Sequence, residues 1–169
     1  MRTLIRGRNR FMQLIKARSI VALSILILTC TTTQIASANG DLTMVGLKAW
    51  LDAYGDAWES RDADAAAQIF AEDATYQVTP YEEPHAGQEG VRQYWAGVTE
   101  NQRNVQFDYQ PIAVDGDTGI AHWSAQFDID PDGPHLELDG IFVLKFDDDG
   151  KCRQLREWWH LKPQEAGTE

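Results

Sequence analysis

The sequence predicts an α+β domain in which three amphipathic helices pack on a curved antiparallel sheet. Apolar residues recur at helical spacing over most of residues 41–101. From residue 105 onward, apolar and polar residues alternate, which is typical of strands with one buried face. Turns rich in Asp and Gly separate these later segments and indicate hairpins. Helices followed by hairpin-linked strands favour an α+β arrangement over alternating βαβ units.

The first half of the domain contains three predicted helices and one short strand. The first helix spans 41–60, and a second, short helix spans 62–71 with Asp62 as its N-cap. A strand is predicted at 74–79, and a polar loop with two prolines follows it. The third helix spans 87–101, with a glycine at its start.

The second half contains four predicted strands, at 105–114, 120–129, 138–146 and 152–161. The last two bracket the turn Asp147–Gly150, so they form a hairpin. Because consecutive hairpins place neighbouring strands side by side, the four strands predict one antiparallel sheet.

One segment nearly matches a calcium-binding loop. Acidic residues at 128, 130 and 132, a glycine at 133 and Asp139 in the twelfth position fit the pattern. The predicted flanks are strands rather than helices, prolines stiffen the loop, and the last position lacks the bidentate glutamate. We therefore predict a hairpin turn there, and no metal site, since no His/Cys cluster has zinc spacing either.

The N-terminal segment 1–38 is typical of a signal peptide. It carries six Arg or Lys residues and no acid, an apolar run at Ile20–Leu28, and Ala36-Ser37-Ala38 as a cleavage site. We predict secretion or periplasmic export with cleavage after Ala38. The alternatives are an uncleaved anchor and a lipoprotein attached at Cys30, which the preceding Thr29 disfavours.

The predicted mature chain is strongly acidic. Six of the 15 basic residues and none of the 26 acidic residues lie in 1–38, so nine basic residues remain against 26 acidic, a net charge of −17. We expect no nucleic-acid partner and no stable membrane insertion after cleavage. Neutral, apolar ligands and cations are compatible with this charge, although solubility alone explains most of it. The domain is predicted at 39–163, followed by a flexible tail at 164–169.

The domain is rich in aromatic residues, and three short helices cannot fully cover a curved four-strand sheet. Aromatic side chains build pocket walls well, so a small, largely apolar molecule is the predicted partner. Plain core packing is the alternative explanation for most of these rings. The aromatic residues concerned are Trp50, Tyr54, Trp58, Tyr94, Trp95, Trp123, Phe127, Phe142, Phe146, Trp158 and Trp159.

The segments Phe70–Thr75, Gly87 with Tyr94-Trp95, and Phe146–Lys151 resemble the SnoaL-like branch of the NTF2-like superfamily. The resemblance covers roughly 41–162. It implies a cone-shaped α+β barrel with a deep pocket, often a homodimer through the outer face of the sheet. Polyketide cyclases, a ketosteroid isomerase, dehydratases, epoxide hydrolases and many non-enzymes belong to this superfamily, so the fold does not settle the function. No cofactor is expected.

The resemblance to the ketosteroid isomerase extends to one of three functional positions. Its oxyanion tyrosine corresponds to Tyr54, its general-base aspartate to Val78 and its protonated aspartate to Phe142. Without the base, proton abstraction beside a carbonyl lacks an obvious agent, which disfavours that chemistry. The resemblance also makes Leu155 and Trp159 inward-facing. The predicted ligand-binding residues are Trp50, Trp58, Trp95, Phe142, Leu155 and Trp159.

Tyr54 and Glu157 are the first two candidate catalytic residues. Tyr54 lies on the inward face of the first helix, as either an oxygen-polarising donor or a core tyrosine bonded to a backbone carbonyl. Alternation from Leu155 turns Glu157 inward, where burial would raise its pKa. The favoured alternative is a glutamate at the rim, paired with Arg153 or Arg156.

His122 and Asp139 are the other two candidates. His122 lies on the face opposite Trp123, and the sequence leaves open which face lines the pocket. Asp139 points outward by alternation, unless Gly140 shifts the register.

Three functions remain open at this point. The first is a binding domain that holds an apolar ligand, with possible turnover by cofactor-free acid/base chemistry. The second is a lyase, isomerase or cyclase that uses Tyr54 with Glu157 or His122. The third is a dimerising structural or interaction module whose cavity is filled by its own tryptophans.

Overall fold

The computed structural model describes residues 41–163, which form three helices and six strands. The predicted signal peptide at 1–38 and the tail at 164–169 lie outside these residues. In chain order the elements are α1 (Met44–Ser60), α2 (Ala63–Gln68), β1 (Phe70–Gln77), β2 (His85–Ala86), α3 (Gly87–Thr99), β3 (Gln102–Asp115), β4 (Thr118–Ile129), β5 (His135–Phe146) and β6 (Cys152–Leu161). The predicted α+β class is confirmed.

Side-chain caps set the beginnings of the first two helices. The Thr43 hydroxyl accepts a 3.0 Å bond from the Gly46 backbone N–H, so α1 begins three residues later than predicted. Asp62 caps α2 as predicted, because its carboxylate accepts from the backbone N–H groups of Asp64 and Ala65 at 3.0 and 2.9 Å.

The region between α2 and α3 differs from the prediction. α2 ends at Gln68, and β1 begins at Phe70, where a helix continuing to residue 71 and a strand beginning at 74 were predicted. The reason is tertiary, since Phe70 is fully buried and pairs with Cys152 at the far end of the chain. The predicted polar loop contains β2, in which His85 pairs with Tyr76.

The strands form one sheet in the order β2-β1-β6-β5-β4-β3. The pairings of β3 with β4, β4 with β5, and β5 with β6 are antiparallel, as predicted. β1 adds to the edge of β6 in parallel, with Gln77 opposite Arg156, which a wholly antiparallel prediction missed. The chain between β1 and β6 is long enough for the crossover that a parallel pair requires. The near-match to a calcium loop forms the β4–β5 hairpin turn.

The two faces of the sheet differ in burial. On β4, Trp123, Ala125 and Phe127 are buried on the inner face, whereas His122 and Ser124 are half-exposed on the outer face. The inner face packs against the buried side of α1, where Leu47, Trp50, Leu51, Tyr54 and Trp58 repeat at helical spacing. Within residues 41–163 no helix has the length and apolar character needed to cross a membrane.

Candidate functional site

A cavity of about 180 Å³ lies between the inner face of the sheet and helices α1 and α3. It reaches solvent beside Val98 and Trp159, which are 37% and 39% exposed. Its wall is mostly aromatic. The lining residues are Tyr54, Trp58, Tyr76, Tyr94, Trp95, Val98, Gln102, Trp123, Phe127, Leu138, Glu157 and Trp159.

Regular periodicity brings these side chains together. Tyr54 and Trp58 are four residues apart on α1, so they share one face of that helix. Strand alternation places Glu157 and Trp159 on the inner side of β6, two residues apart. Tyr76 comes from the adjacent strand β1, and its ring packs against Tyr94 of α3 with the centroids 4.9 Å apart.

A chain of hydrogen bonds crosses the cavity wall. The hydroxyls of Tyr54 and Tyr76 are 2.9 Å apart, and the Tyr76 hydroxyl donates to Oε1 of Glu157 at 3.5 Å. All three side chains are buried. Two phenols and one carboxyl are therefore joined in series inside an apolar cavity.

Burial raises the pKa of all three groups. It raises the pKa of Glu157 to about 8, and the hydrogen bond from Tyr76 opposes this only in part. Burial, with a smaller contribution from the charge of Glu157, raises the pKa of Tyr54 and of Tyr76 well above the ordinary phenol value. Both phenols stay protonated at neutral pH, while Glu157 titrates close to it, which suits a group that gives and takes protons.

The favoured prediction of a rim glutamate is wrong. Glu157 is only 5% exposed and lies opposite Phe142 on the inner face of β6. Its two predicted partners are engaged elsewhere, since Arg153 pairs with Asp117 and Arg156 lies over the ring of Trp158. Because side chains alternate along β6, Arg156 and Glu157 point to opposite faces of the sheet and do not pair.

His122 and Asp139 meet each other but do not face the cavity. His122 Nε2 is 2.8 Å from Asp139 Oδ2 on the outer face of the sheet. Because Trp123 lines the cavity, its neighbour His122 must point the other way. Gly140 does not shift the register, since Trp123 pairs directly with Gly140 and Ser124 with Asp139. Both candidate catalytic residues therefore lie outside the cavity, which settles the open face of His122 and agrees with the outward position predicted for Asp139.

The six predicted ligand-binding residues divide into two groups. Trp58, Trp95 and Trp159 line the cavity. Trp50, Phe142 and Leu155 are buried in the core and do not line it, which corrects their assignment. Aromatic content predicted a pocket but could not separate its wall from the surrounding core.

Sequence reasoning missed several residues of the wall. Tyr76 had a usable signal, because it alternates with Ala74 on the predicted strand and so shares its inward face. Gln102 had none, since it precedes the predicted start of β3. Its side-chain oxygen accepts a 2.8 Å bond from the indole N–H of Trp58.

The described part of the chain shows no cluster of three or more His, Cys, Asp or Glu side chains placed to hold a metal. Cys152 is fully buried in the core, and burial raises the pKa of its thiol, so the thiolate is disfavoured.

Comparison with known proteins identifies similar sequences and folds. The profile of the SnoaL-like domain family matches residues 51–155. The epoxide hydrolase/cyclase-like enzyme SalBIII, which acts in pyran ring formation in the polyether salinomycin, is 20% identical with a TM-score of 0.59, covering 67% of this chain and 89% of its own. A protein of ketosteroid isomerase-like fold from Catenulispora acidiphila, in complex with trimethylamine, is 16% identical with a TM-score of 0.58, covering 64% and 83%. A provisionally assigned isomerase from Bacillus subtilis is 16% identical with a TM-score of 0.60, covering 69% and 87%. No curated protein matches significantly.

Proposed function

The chain belongs to the SnoaL-like domain family, and on that premise we propose that its cavity binds a small, largely apolar molecule with which Glu157 exchanges a proton. One observation carries this proposal. A buried carboxyl with a pKa of about 8 lies in the wall of an aromatic cavity that reaches solvent. The reaction class is cofactor-free acid/base chemistry of the lyase, isomerase or cyclase kind.

The size of the cavity limits the ligand. An apolar protein cavity of about 150 Å³ takes up a single ring such as benzene. The cavity here measures about 180 Å³, so it accommodates a molecule of about one ring, or one end of a larger molecule that extends past Trp159.

The hydrogen-bond chain gives each polar residue a role. With Glu157 ionised, Tyr54 donates to Tyr76 and Tyr76 donates to Glu157. With Glu157 protonated, the direction reverses, and the hydroxyl of Tyr54 is free to donate to an oxygen of the ligand. Tyr54 would polarise that oxygen while Glu157 moves the proton.

Glu157 also lies near Val78, the position that corresponds to the general base of the ketosteroid isomerase. Gln77, the last residue of β1, pairs with Arg156 of β6, and Val78 and Glu157 are the residues that follow them. Both line one surface groove of about 330 Å³ beside Trp159. We propose that the Glu157 carboxyl on β6 takes the role of the general-base aspartate that corresponds to Val78 in the resemblance to that enzyme. The description of SalBIII as epoxide hydrolase/cyclase-like supports acid/base chemistry on this fold.

Two measurements test this function. Mass spectrometry of molecules retained by the protein from its native compartment would identify candidates, and quenching of tryptophan fluorescence would measure their binding. For any compound that is converted, Glu157→Gln should keep binding and lose about 100-fold or more of the rate, whereas the exposed-site control Glu72→Gln should keep both. If the unmodified protein binds compounds but converts none of them, its function is ligand binding without catalysis. Failure of every small ring compound to bind would overturn the proposal.

A further inference from the structure

Two of the tryptophans that line the cavity have indole N–H groups without hydrogen-bond partners. Trp95 and Trp123 are each 2% exposed, and neither Nε1 has a partner among residues 41–163. The other two buried tryptophans are paired, Trp50 with the Ile69 carbonyl at 2.9 Å and Trp58 with Gln102. Buried donors are normally satisfied, so an unpaired pair beside one cavity calls for an explanation.

Both unpaired indoles belong to residues that line the cavity and pack against Trp58. Their ring centroids lie 5.6 and 5.8 Å from that of Trp58. Trp95 also meets Tyr54 edge to face, with the centroids 5.1 Å apart, so it lies beside the hydroxyl chain.

Gly140 leaves room for the indole ring of Trp123. A Cβ at Gly140 would lie 2.8 Å from Cε2 of Trp123, the carbon bonded to Nε1, and 2.8 Å from Cβ of Trp159. The indole of Trp123 therefore packs over Gly140 of β5, next to Trp159, beside which the cavity reaches solvent.

We infer that the ligand presents hydrogen-bond acceptor oxygens to the indole N–H groups of Trp95 and Trp123. An indole N–H donates only, so it requires an acceptor and disfavours an ammonium group. Burying a charge within the largely aromatic wall is costly, which favours a neutral carbonyl or ether oxygen over an ion. The ligand class is thus a small, uncharged ring compound that carries oxygen, rather than a plain hydrocarbon. This inference rests on the proposed binding function.

Cyclohexanone and methylenecyclohexane are matched probes, because they have nearly the same shape and differ in the acceptor oxygen. We expect the purified protein to bind cyclohexanone about ten-fold more tightly, the effect of roughly one net hydrogen bond to a buried donor. In ¹⁵N spectra, cyclohexanone should shift the indole N–H resonances of Trp95 and Trp123, and methylenecyclohexane should leave them in place. Trp95→Phe and Trp123→Phe should remove most of the preference, while the core control Trp50→Phe should keep it.

The possible failures are distinguishable. Equal affinity for the two probes, or unshifted resonances of Trp95 and Trp123 in the cyclohexanone complex, would overturn this inference and leave apolar binding intact. Tighter binding of cyclohexylammonium than of cyclohexanone would also overturn it, since the carboxyl of Glu157 would then dominate recognition. If neither probe nor any other ring compound binds, the proposed function fails together with the inference. The spectra of the unmodified protein decide the question even if a tryptophan variant does not fold.

Discussion

The Tyr76 hydroxyl donates a long, 3.5 Å hydrogen bond to the carboxyl of Glu157, and no other residue in the range 41–163 donates to that carboxyl. A buried carboxylate normally needs several donors or a cation to remain charged. With one weak donor it favours its protonated form at neutral pH. The same lack of partners leaves it available to a ligand, and several predictions about stability and pH depend on it.

The first prediction concerns pH and Glu157. The pKa of this carboxyl is about 8 in the folded protein against an ordinary value of 4.5, so between these values the folded state holds a proton that the unfolded state has released. The free energy of unfolding should therefore fall as pH rises through this window, by up to about 1.4 kcal/mol for each pH unit. Urea unfolding from pH 5 to 8 measures the slope. Glu157→Gln should lose this contribution and Glu72→Gln should retain it, so parallel profiles for all three proteins would contradict the assignment.

The second prediction compares the two tyrosines. Tyr76→Phe should cost about 1–3 kcal/mol of unfolding free energy, because it leaves the Tyr54 hydroxyl and Glu157 both without their bonds. Tyr54→Phe should cost less, since the bond between Tyr76 and Glu157 remains. Tyr76→Phe should also raise the pKa of Glu157 further, which carbon NMR of the carboxyl measures. An unchanged pKa of Glu157 in Tyr76→Phe, or a larger loss of unfolding free energy in Tyr54→Phe, would contradict the hydrogen bonds that join Tyr54, Tyr76 and Glu157.

The third prediction uses two glycines. Gly140→Ala would place a Cβ 2.7 Å from the Trp158 carbonyl oxygen and 2.8 Å from the Trp123 ring, and it should destabilise the protein by about 1–3 kcal/mol. Gly97→Ala is the control, since a Cβ on this exposed position of α3 meets nothing within 4 Å. It should stabilise the helix by about 0.5–1 kcal/mol. Thermal unfolding of both variants measures the difference in stability. If Gly140→Ala is as stable as the unmodified protein, the Trp123 ring can move aside without loss of stability.

The fourth prediction concerns assembly, which we propose to be a homodimer through the outer face of the sheet. Trp158 is 43% exposed and pairs across the sheet with Ile141 on that face. Trp158→Lys should shift the protein from dimer to monomer in size-exclusion chromatography with light scattering. Val45→Lys, at an exposed position on α1, should leave the dimer unchanged. A native monomer, or a dimeric Trp158→Lys protein, would exclude this surface.

The fifth prediction concerns export. We expect the protein from its native host to begin at Asn39, because we propose that the Ala-Ser-Ala sequence at 36–38 serves as a signal-peptidase site. Intact-mass spectrometry distinguishes this product from the full chain and from a lipid-modified chain beginning at Cys30. Cys30→Ser should leave processing unchanged. Either of the other two masses would refute cleavage after Ala38.

Local patterns predicted most of the fold but only part of the site. Hydrogen bonds between residues close in sequence, such as those of the Asp62 cap and the Asp147–Gly150 turn, were predicted correctly. The start of β1 was missed because its partner, Cys152, lies far along the chain. The sequence allows an inward Glu157 but favours a rim position, because Arg153 and Arg156 are closer to it in sequence than Tyr76 is. Trp50 and Trp58 look alike in sequence, and only Trp58 lines the cavity.

Periodicity, capping and turn chemistry act between residues a few positions apart, so the residues alone indicate three helices, the later antiparallel hairpins and an aromatic interior. The site depends on register between strands that the chain visits at different times. Tyr76 and Glu157 are 81 residues apart, and their contact exists because β1 joins the edge of β6 in parallel. Which tryptophans line the cavity, which carboxyl is buried and which indoles lack partners follow from that packing, and no local pattern encodes it.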